Sequence, residues 1–291
     1  MNKIYMNSND QIEQLLPRLR LIMNSLSKNE RLVLQYCIDR GEKIRDDDIS
    51  AIASWCSVSS ALVVKVAKKC GYSGYRELRA ALSAYAAHYK SDLHKELNPL
   101  DPPQMVIDKI FGTSISALQD TKLILDPEEL KAVSECLIAA DKIAFIGIGG
   151  SAALALDAYH KFLRIGVVTQ WFNDSHLMVM SASLMTPKSV LIGFSHSGRT
   201  SAIIEAFKAA KKQKAKTVAI TNTPESLLGQ YSDYILCSVA QGSPINGENS
   251  AARIAQLNIL DILFVLYAQH NYENSLSNLS RTIESVAQLR I

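Results

Sequence analysis

Five short apolar runs in the second half of the chain alternate with segments of helical periodicity, and this alternation constrains the fold most strongly. The runs are residues 142–149, 166–172, 189–195, 216–221 and 233–238. The helical segments between them are 152–164, 175–184, 200–212 and 224–230. Strands that are apolar along their whole length are typical of a parallel sheet covered on both faces. The pattern therefore predicts a five-stranded parallel sheet flanked by helices.

The rest of the chain has helical spacing, and one proline-rich stretch divides it. Residues 91–104 read SDLHKELNPLDPPQ, and residues that precede proline avoid the helical conformation. Before this stretch every periodic segment is helical, and after it a helix at about 105–125 leads into the sheet. We therefore expect two domains: an all-α domain at 1–90, a linker at 91–104 and an α/β domain at 105–291.

Composition narrows the class of protein. The hydrophobic fraction is 48% and the charged fraction 20%, which are values of a globular protein. No apolar run reaches the ~18–20 residues that span a bilayer, and the N-terminus lacks the apolar segment of a signal peptide. The five cysteines form no C-x-x-C pair. We expect a cytoplasmic protein with reduced thiols, no metal site, no cofactor and no membrane partner.

The charge is unevenly distributed. Residues 1–90 carry 14 Lys and Arg against 9 Asp and Glu, whereas the remainder is slightly acidic. A basic N-terminal third favours an anionic partner at that end, although an ordinary solvated helical surface gives the same count.

Two short helices around a tight turn at residues 53–58 suggest a helix-turn-helix. Ser59 or Ser60 is placed to cap the second helix, and such a helix enters the major groove of DNA with its first turn at the base edges. The candidate DNA contacts are Ser59, Ser60, Lys65, Lys68, Lys69, Tyr75 and Arg76. The helix carries no Arg, Asn or Gln, the usual bidentate readers of bases, so phosphate contacts or DNA shape would carry more of the recognition.

Hydroxyl-rich loops follow two of the predicted strands. The segment GIGGSA at 147–152 and the segment SHSGRT at 195–200 each precede a helix. Helix N-termini attract anions, glycines let the backbone approach closely, and ligands of open parallel sheets bind at the carboxyl ends of the strands. Both loops therefore predict a phosphate site. The candidate ligands are Gly149, Gly150, Ser151, Ser195, His196, Ser197, Gly198 and Thr200.

Other interpretations of these loops stay open. Gly147, Gly149 and Ala152 match a dinucleotide-binding G-x-G-x-x-A, with Asp174 as the acidic residue, but Asp174 lies in a loop beyond the second strand. His196 is either a general base or a loop residue that offers its backbone N–H. Glu248, in a further predicted loop before a helix, either binds sugar hydroxyls, moves a proton or simply favours the helix start.

Three segments resemble parts of two known families. Residues 26–82, from LSKNERLVLQYCIDR to ELRAAL, resemble the helix-turn-helix domain of RpiR-type bacterial transcriptional regulators. Residues 146–221, which contain IGIGGSAALALDAY and FSHSGRTSAIIEAF, resemble the SIS (sugar isomerase) domain, and SAARIAQLNILDILF at 250–264 resembles its closing helix. The resemblance implies a DNA-binding regulator of sugar metabolism that senses a phosphorylated sugar.

By this resemblance, Ser151, Ser195, Ser197 and Thr200 hold the phosphate. The family usually has a threonine and an arginine in the middle of the recognition helix, where this chain has Leu62 and Lys65. Leu62 is thereby a further candidate DNA contact, and the lysine lacks the bidentate fork of arginine.

A regulator of this kind is expected to be a homodimer or homotetramer joined through helices of the SIS domain, so that it reads a pseudo-palindromic operator. One alternative is a sugar-phosphate isomerase or lyase on the same fold, with Glu248 or His270 as its base. Another is a regulator that acts on a protein partner. The basic N-terminal helices favour the DNA-binding regulator.

Overall fold

The computed structural model of the chain describes residues 14–88, 97–240, 250–287 and 289. The described residues up to 124, with 239 and 240, group into one unit, and those at 125–238 and from 250 onward group into a second. Each unit has its own buried apolar core.

The first unit is all-α, as predicted. Its helices are α1 (Leu15–Met23), α2 (Lys28–Asp39), α3 (Ile49–Trp55), α4 (Ser60–Lys69), α5 (Tyr75–His88) and α6 (Pro103–Ile124), with a 3₁₀ turn at Gly41–Asp46. Local sequence explains where they begin: Ser27 and Glu30 form a capping box at α2, and Asp48 accepts a 2.7 Å bond from the Ala51 amide at the start of α3.

Helices α3 and α4 form the predicted helix-turn-helix. Their axes are bent by 103°, within the range of this motif. The turn between them is closed by a bond from the Val58 amide to the Ala53 carbonyl, and Ser57 takes a positive φ of 53° there. Val63 and Val66 of α4 pack into a core with Val33 of α2. The outer face of α4 is therefore left at the surface.

Helix α6 groups with the first unit, whereas the sequence pattern placed it in the second domain. An ion pair between Arg20 of α1 and Asp120 of α6 contributes to this grouping. Part of the predicted linker, residues 91–96, lies outside the described residues, and the domain boundary at 104 stays a prediction.

The second unit contains the predicted parallel sheet. Its elements are α7 (Pro127–Ile138), β1 (Lys142–Gly147), α8 (Gly150–Arg164), β2 (Thr169–Phe172), α9 (Ser175–Ser183), β3 (Ser189–Phe194), α10 (Ser201–Lys212), β4 (Lys216–Thr221), α11 (Leu227–Gln230), β5 (Tyr234–Cys237), α12 (Ser250–His270) and α13 (Tyr272–Ala287). The strand order is β2-β1-β3-β4-β5, and every pair is parallel. The chain reverses its direction of winding between β1 and β3.

Alternate residues of the strands supply two cores, one on each face of the sheet. Phe145 of β1 packs with α7, α8 and α12, whereas its neighbour Ile146 packs with α9 and α10. Because both faces are covered, all six residues of β3 are buried. This is the physical reason for the uninterrupted apolar runs in the sequence.

The two closing helices differ in their burial. Helix α12 is long and apolar enough to match a membrane span by length and composition, although Arg253, Gln256 and Asp261 interrupt its apolar residues, so that the sequence shows no continuous apolar run there. Its Ile259 and Leu263 are fully buried in the core on the sheet, so α12 is a core helix of this unit. Helix α13 contributes a bond from Asn278 Nδ2 to the Ile165 carbonyl at 2.9 Å, beyond the end of α8.

All five cysteines are free thiols. Burial raises the pKa of Cys37, Cys70 and Cys237 to about 12, which suppresses the thiolate form at neutral pH. These three thiols are packing residues.

Candidate functional site

The carboxyl ends of β1 and β3 bring the two hydroxyl-rich loops together. Register pairs Gly147, the last residue of β1, with Phe194, the last residue of β3, so both loops leave the sheet at one edge and at adjacent positions. This is also the point where the strand order reverses, which is where open α/β sheets bind ligands. The topology therefore places the loop that leads to Ser151 next to the loop that begins at Ser195.

The loop after β3 is held to the sheet by its backbone. The Ser195 amide donates to the Ile220 carbonyl at 3.1 Å, and the His196 carbonyl accepts from the Asn222 amide at 3.1 Å. The Thr221 hydroxyl also donates to the His196 carbonyl, at 3.2 Å. His196 is half-buried, and these bonds fix its backbone whatever its imidazole does.

Gly198 lets this loop pass close to the start of α11. Its φ is 61°, and a Cβ added there would lie 1.9 Å from the Oγ of Ser226. The Leu228 amide also donates to the Gly198 carbonyl at 3.1 Å. Only glycine satisfies both the backbone conformation and the close contact.

Three hydroxyls surround the start of α10. The Oγ of Ser195 lies 3.2 Å from the Oγ1 of Thr200, and Ser195 is buried. Ser197 is exposed, and its Oγ accepts from the Arg199 amide at 3.3 Å. Thr200 occupies the N-cap position of α10 but its side chain does not cap the helix. The first amides of α10 have no intrahelical acceptor, and a helix N-terminus of this kind attracts anions.

The loop after β1 reaches α8 through two glycines with different roles. A Cβ on Gly147 would lie 2.3 Å from the Ser151 carbonyl oxygen, so this glycine is required by packing. Gly149 has φ 60° and ψ −128°, a conformation that only glycine adopts readily. The amides of Ser151 and Ala152 donate to the carbonyls of Ile148 and Gly149, which tightens the first turn of α8.

Arg253, in the first turn of α12, was missed in the sequence. Its Nη1 lies 3.0 Å from the point where a Cβ on Gly150 would sit, and no ion pair joins it to another described residue. A cation beside the positive end of the α8 dipole is unfavourable unless an anion lies between them. The signal in the sequence was a lone basic residue in the first turn of the helix that begins at Ser250.

A buried polar cluster anchors α12 beside this site. The Oγ of Ser238 donates to the Oδ1 of Asn222, and the Nε2 of Gln256 donates to the Ser238 Oγ at 3.0 Å. All three side chains are buried. Because Gln256 lies one turn after Arg253, the cluster fixes the part of α12 from which the Arg253 side chain extends.

The remaining predicted residues of the second unit lie elsewhere. Glu248 is outside the described residues. His270 ends α12, and 17 residues of helix put it about 25 Å from Arg253, so it is too distant to act as a base at the two loops. Asp174 accepts bonds from the His176 and Leu177 amides as the N-cap of α9, which accounts for it without a dinucleotide.

In the first unit, α4 exposes most of the predicted DNA contacts. Ser59 caps the helix through a 3.3 Å bond from the Leu62 amide, and Ser60, Lys65 and Lys68 are exposed. Leu62 is half-buried at the side of this face. The exposed face offers hydroxyls and ammonium groups, which suit phosphates and water-mediated contacts.

Three predicted contacts of the first unit, Tyr75, Lys69 and Lys65, have intramolecular partners. Tyr75 is buried, and its hydroxyl donates to the Asp47 carbonyl at 3.0 Å. It is a core residue here and not a phosphate contact, because the fold of α5 against the 3₁₀ turn draws it inward. Lys69 donates to Glu30 at 2.8 Å. Arg76 is exposed, and its contact with DNA stays a prediction.

Comparison with known proteins supports both units. Residues 13–89 match the helix-turn-helix domain of the rpiR family, and residues 136–266 match the SIS domain. The HTH-type transcriptional regulator RpiR of Escherichia coli K12 is 37% identical over 92% of this chain and 90% of its own length. An uncharacterized HTH-type transcriptional regulator of Caldanaerobacter subterraneus is 30% identical over 94% of this chain and 97% of its own.

Solved structures agree with this relationship. The Vibrio vulnificus NanR protein complexed with ManNAc-6P matches 94% of this chain and 98% of its own, with a TM-score of 0.60 and 28% identity. The sugar isomerase domain of an RpiR transcription factor from Sphaerobacter thermophilus matches 62% of this chain and 99% of its own, with a TM-score of 0.57 and 21% identity. Because the identity is only 21%, the likeness to the Sphaerobacter thermophilus domain supports the fold alone.

Proposed function

Because the chain belongs to the RpiR family of HTH-type transcriptional regulators, we propose that it binds operator DNA through α4 and senses a phosphorylated sugar at the carboxyl ends of β1 and β3. The observation that carries the second half is the convergence of two helix N-termini, three hydroxyls and the Arg253 guanidinium at one edge of the sheet. Each of these groups donates hydrogen bonds or carries positive charge.

In this proposal the phosphate lies between α8 and α10. The hydroxyls of Ser151, Ser195, Ser197 and Thr200 bind its oxygens, together with backbone amides at Gly149, Gly150 and His196. Gly198 shapes the loop, since its own amide donates to the Ser195 carbonyl at 3.3 Å. Arg253 supplies the positive charge, and Glu248 remains a candidate for the sugar hydroxyls. The likeness to NanR complexed with ManNAc-6P supports a phosphosugar as the effector.

The chain is a regulator and not an enzyme of the same fold. The relatives matched over nearly their whole length are named transcriptional regulators, and they share the N-terminal DNA-binding unit. The distance of His270 from the two loops removes one of the bases that an isomerase would use.

The effector site is tested by isothermal titration with a panel of hexosamine and pentose phosphates that includes ManNAc-6P. Hydrogen bonds to a charged group contribute about 1.5–3 kcal/mol, so Ser195→Ala weakens binding by about 10- to 150-fold. Ser183→Ala, at the C-terminal end of α9 and outside the two loops, serves as the control. Equal affinities of the two variants would remove the site from the proposal.

We propose that a homodimer or homotetramer is the functional form in the cytoplasm. Helix α6 exposes Ile107, Phe111 and Ile115 at a spacing of four residues, and α13 exposes Leu276 and Ile283 seven residues apart. Stripes of this kind suit helix pairing. Sedimentation of the Phe111→Glu variant against wild type tests α6 as an interface: a fully retained oligomer argues against it.

Effector binding changes DNA affinity only if the phosphosugar prefers one of two arrangements of the paired DNA-binding units. The test is the affinity for DNA upstream of the protein's own gene, with and without the ligand found by titration. If the protein showed no preference for that DNA over a mixed sequence at any salt concentration, this result would contradict the proposed function as a DNA-binding regulator.

A further inference from the structure

Glu30 is a buried carboxylate in the DNA-binding unit. It is the third residue of α2, and its side chain is only 3% exposed. Its Oε2 accepts from the Ser27 amide at 3.0 Å and from the Lys69 Nζ at 2.8 Å. Its Oε1 lies 3.3 Å from the Lys65 Nζ. One carboxylate therefore contacts two lysines of α4.

The three lysines of α4 therefore differ in ion pairing and in exposure. Lys69 is the most restrained, with a short bond to Glu30 and 40% exposure of its side chain. Lys65 is 63% exposed and makes the longer contact. Lys68 is exposed and forms no ion pair with another described residue.

We propose that Glu30 determines the specificity of DNA binding, because it withholds Lys69 and, less tightly, Lys65 from DNA phosphates and leaves Lys68 as the freely available cation of α4. The proposal rests on the function of α4 proposed above. In this proposal Lys69, a predicted DNA contact, pairs with Glu30 of α2 instead of a DNA phosphate.

Lys69 stays with Glu30 because an unpaired buried charge has a high free-energy cost. A phosphate that took Lys69 from Glu30 would leave a carboxylate desolvated and without its main partner, and such a charge is strongly destabilising. A random phosphate offers only a solvent-screened contact in return. Phosphates of non-specific DNA therefore contact Lys68 first. Few positive charges of α4 then contribute to binding that is independent of DNA sequence.

The salt dependence of DNA affinity reports how many cations of the protein contact DNA phosphates. Each phosphate neutralised on duplex DNA changes the slope of log K against log salt by about 0.9. The test uses the full-length protein and fluorescence anisotropy on mixed-sequence duplex DNA. Lys68→Gln and Lys69→Gln are a matched pair of adjacent residues. We expect Lys68→Gln to make the slope shallower by about 0.9 and Lys69→Gln to leave it unchanged.

Glu30→Gln provides the second arm. Glutamine is also accepted at this position of a capping box, so the start of α2 is preserved while both lysines lose their anionic partner. The slope is expected to steepen by up to about 1.8, with tighter binding to mixed-sequence DNA and a smaller preference for DNA upstream of the gene. In the double variant Glu30→Gln/Lys69→Gln, the slope is expected to be shallower than in Glu30→Gln by about 0.9.

Two results would overturn the proposal: a slope that Lys69→Gln lowers as much as Lys68→Gln does, or a slope that Glu30→Gln leaves unchanged. Circular dichroism of each variant confirms that its helices are retained. A wild-type protein that binds no DNA at all would instead contradict the proposed function, so the two failures are distinguishable.

Discussion

Replacement of Gly198 by alanine tests the close contact on which the loop after β3 depends. A residue other than glycine at φ 61° costs about 1–2 kcal/mol. The added Cβ also lies 1.9 Å from the Ser226 Oγ and 2.4 Å from its Cβ, and overpacking of this kind costs about 1–3 kcal/mol. The two contributions predict a destabilisation of about 2–5 kcal/mol for the second unit.

Ser226 cannot simply turn away from the new methyl group. It is buried, and its Oγ accepts from the Gly229 amide at the start of α11. The strain is therefore expected to displace the loop, with weaker phosphosugar binding as a second effect. Gly149→Ala is the control, because its φ is also positive but no atom lies within 4 Å of the added Cβ.

The assay is urea unfolding in a Trp55→Phe background. The chain has two tryptophans, so Trp171 of β2 then reports on the second unit alone. A double-mutant cycle with Ser226→Gly isolates the steric part, and we expect a coupling of about 1–3 kcal/mol for Gly198→Ala. Coupling within about 0.5 kcal/mol of zero would refute the reasoning, as would equal coupling for Gly149→Ala.

Three further predictions concern single contacts. Tyr75→Phe loses the bond to the Asp47 carbonyl and about 0.5–1.5 kcal/mol of stability, while DNA affinity stays unchanged; weaker DNA binding at unchanged melting temperature would contradict its place in the core. Asn278→Ala removes the donor to the Ile165 carbonyl and lowers the urea midpoint of the second unit by a similar free energy, and an unchanged midpoint would show that this bond does not anchor α13. The Lys69 ammonium, with the Ser27 amide, lowers the pKa of Glu30 from 4.5 to about 2, so its stabilisation is complete above pH 4.5 and is lost as the pH falls towards 2. Glu30→Gln should flatten the melting temperature across that window, and parallel profiles for both proteins would count against the pairing.

Patterns of short range were sufficient for the elements and for the two loops of the proposed phosphate site. Alternation of apolar runs and helices predicted the five parallel strands, and capping residues predicted the starts of α2 and α4. Glycine and serine at two strand ends predicted loops that the sheet then placed side by side. Such signals arise between residues a few positions apart, and the parallel sheet has only one edge at which strands end.

Contacts between distant residues were decided by tertiary structure. Lys69 lies 39 residues from Glu30 in the sequence, and nothing local distinguishes it from Lys68. Tyr75 stands in the sequence between Gly74 and Arg76, yet packing against the 3₁₀ turn buries it. The approach of Arg253 to Gly150 depends on where α12 lies on the sheet. The pattern of the chain determines which face of a helix is apolar, but the partner of each polar group depends on which helices meet, and long-range packing alone sets that.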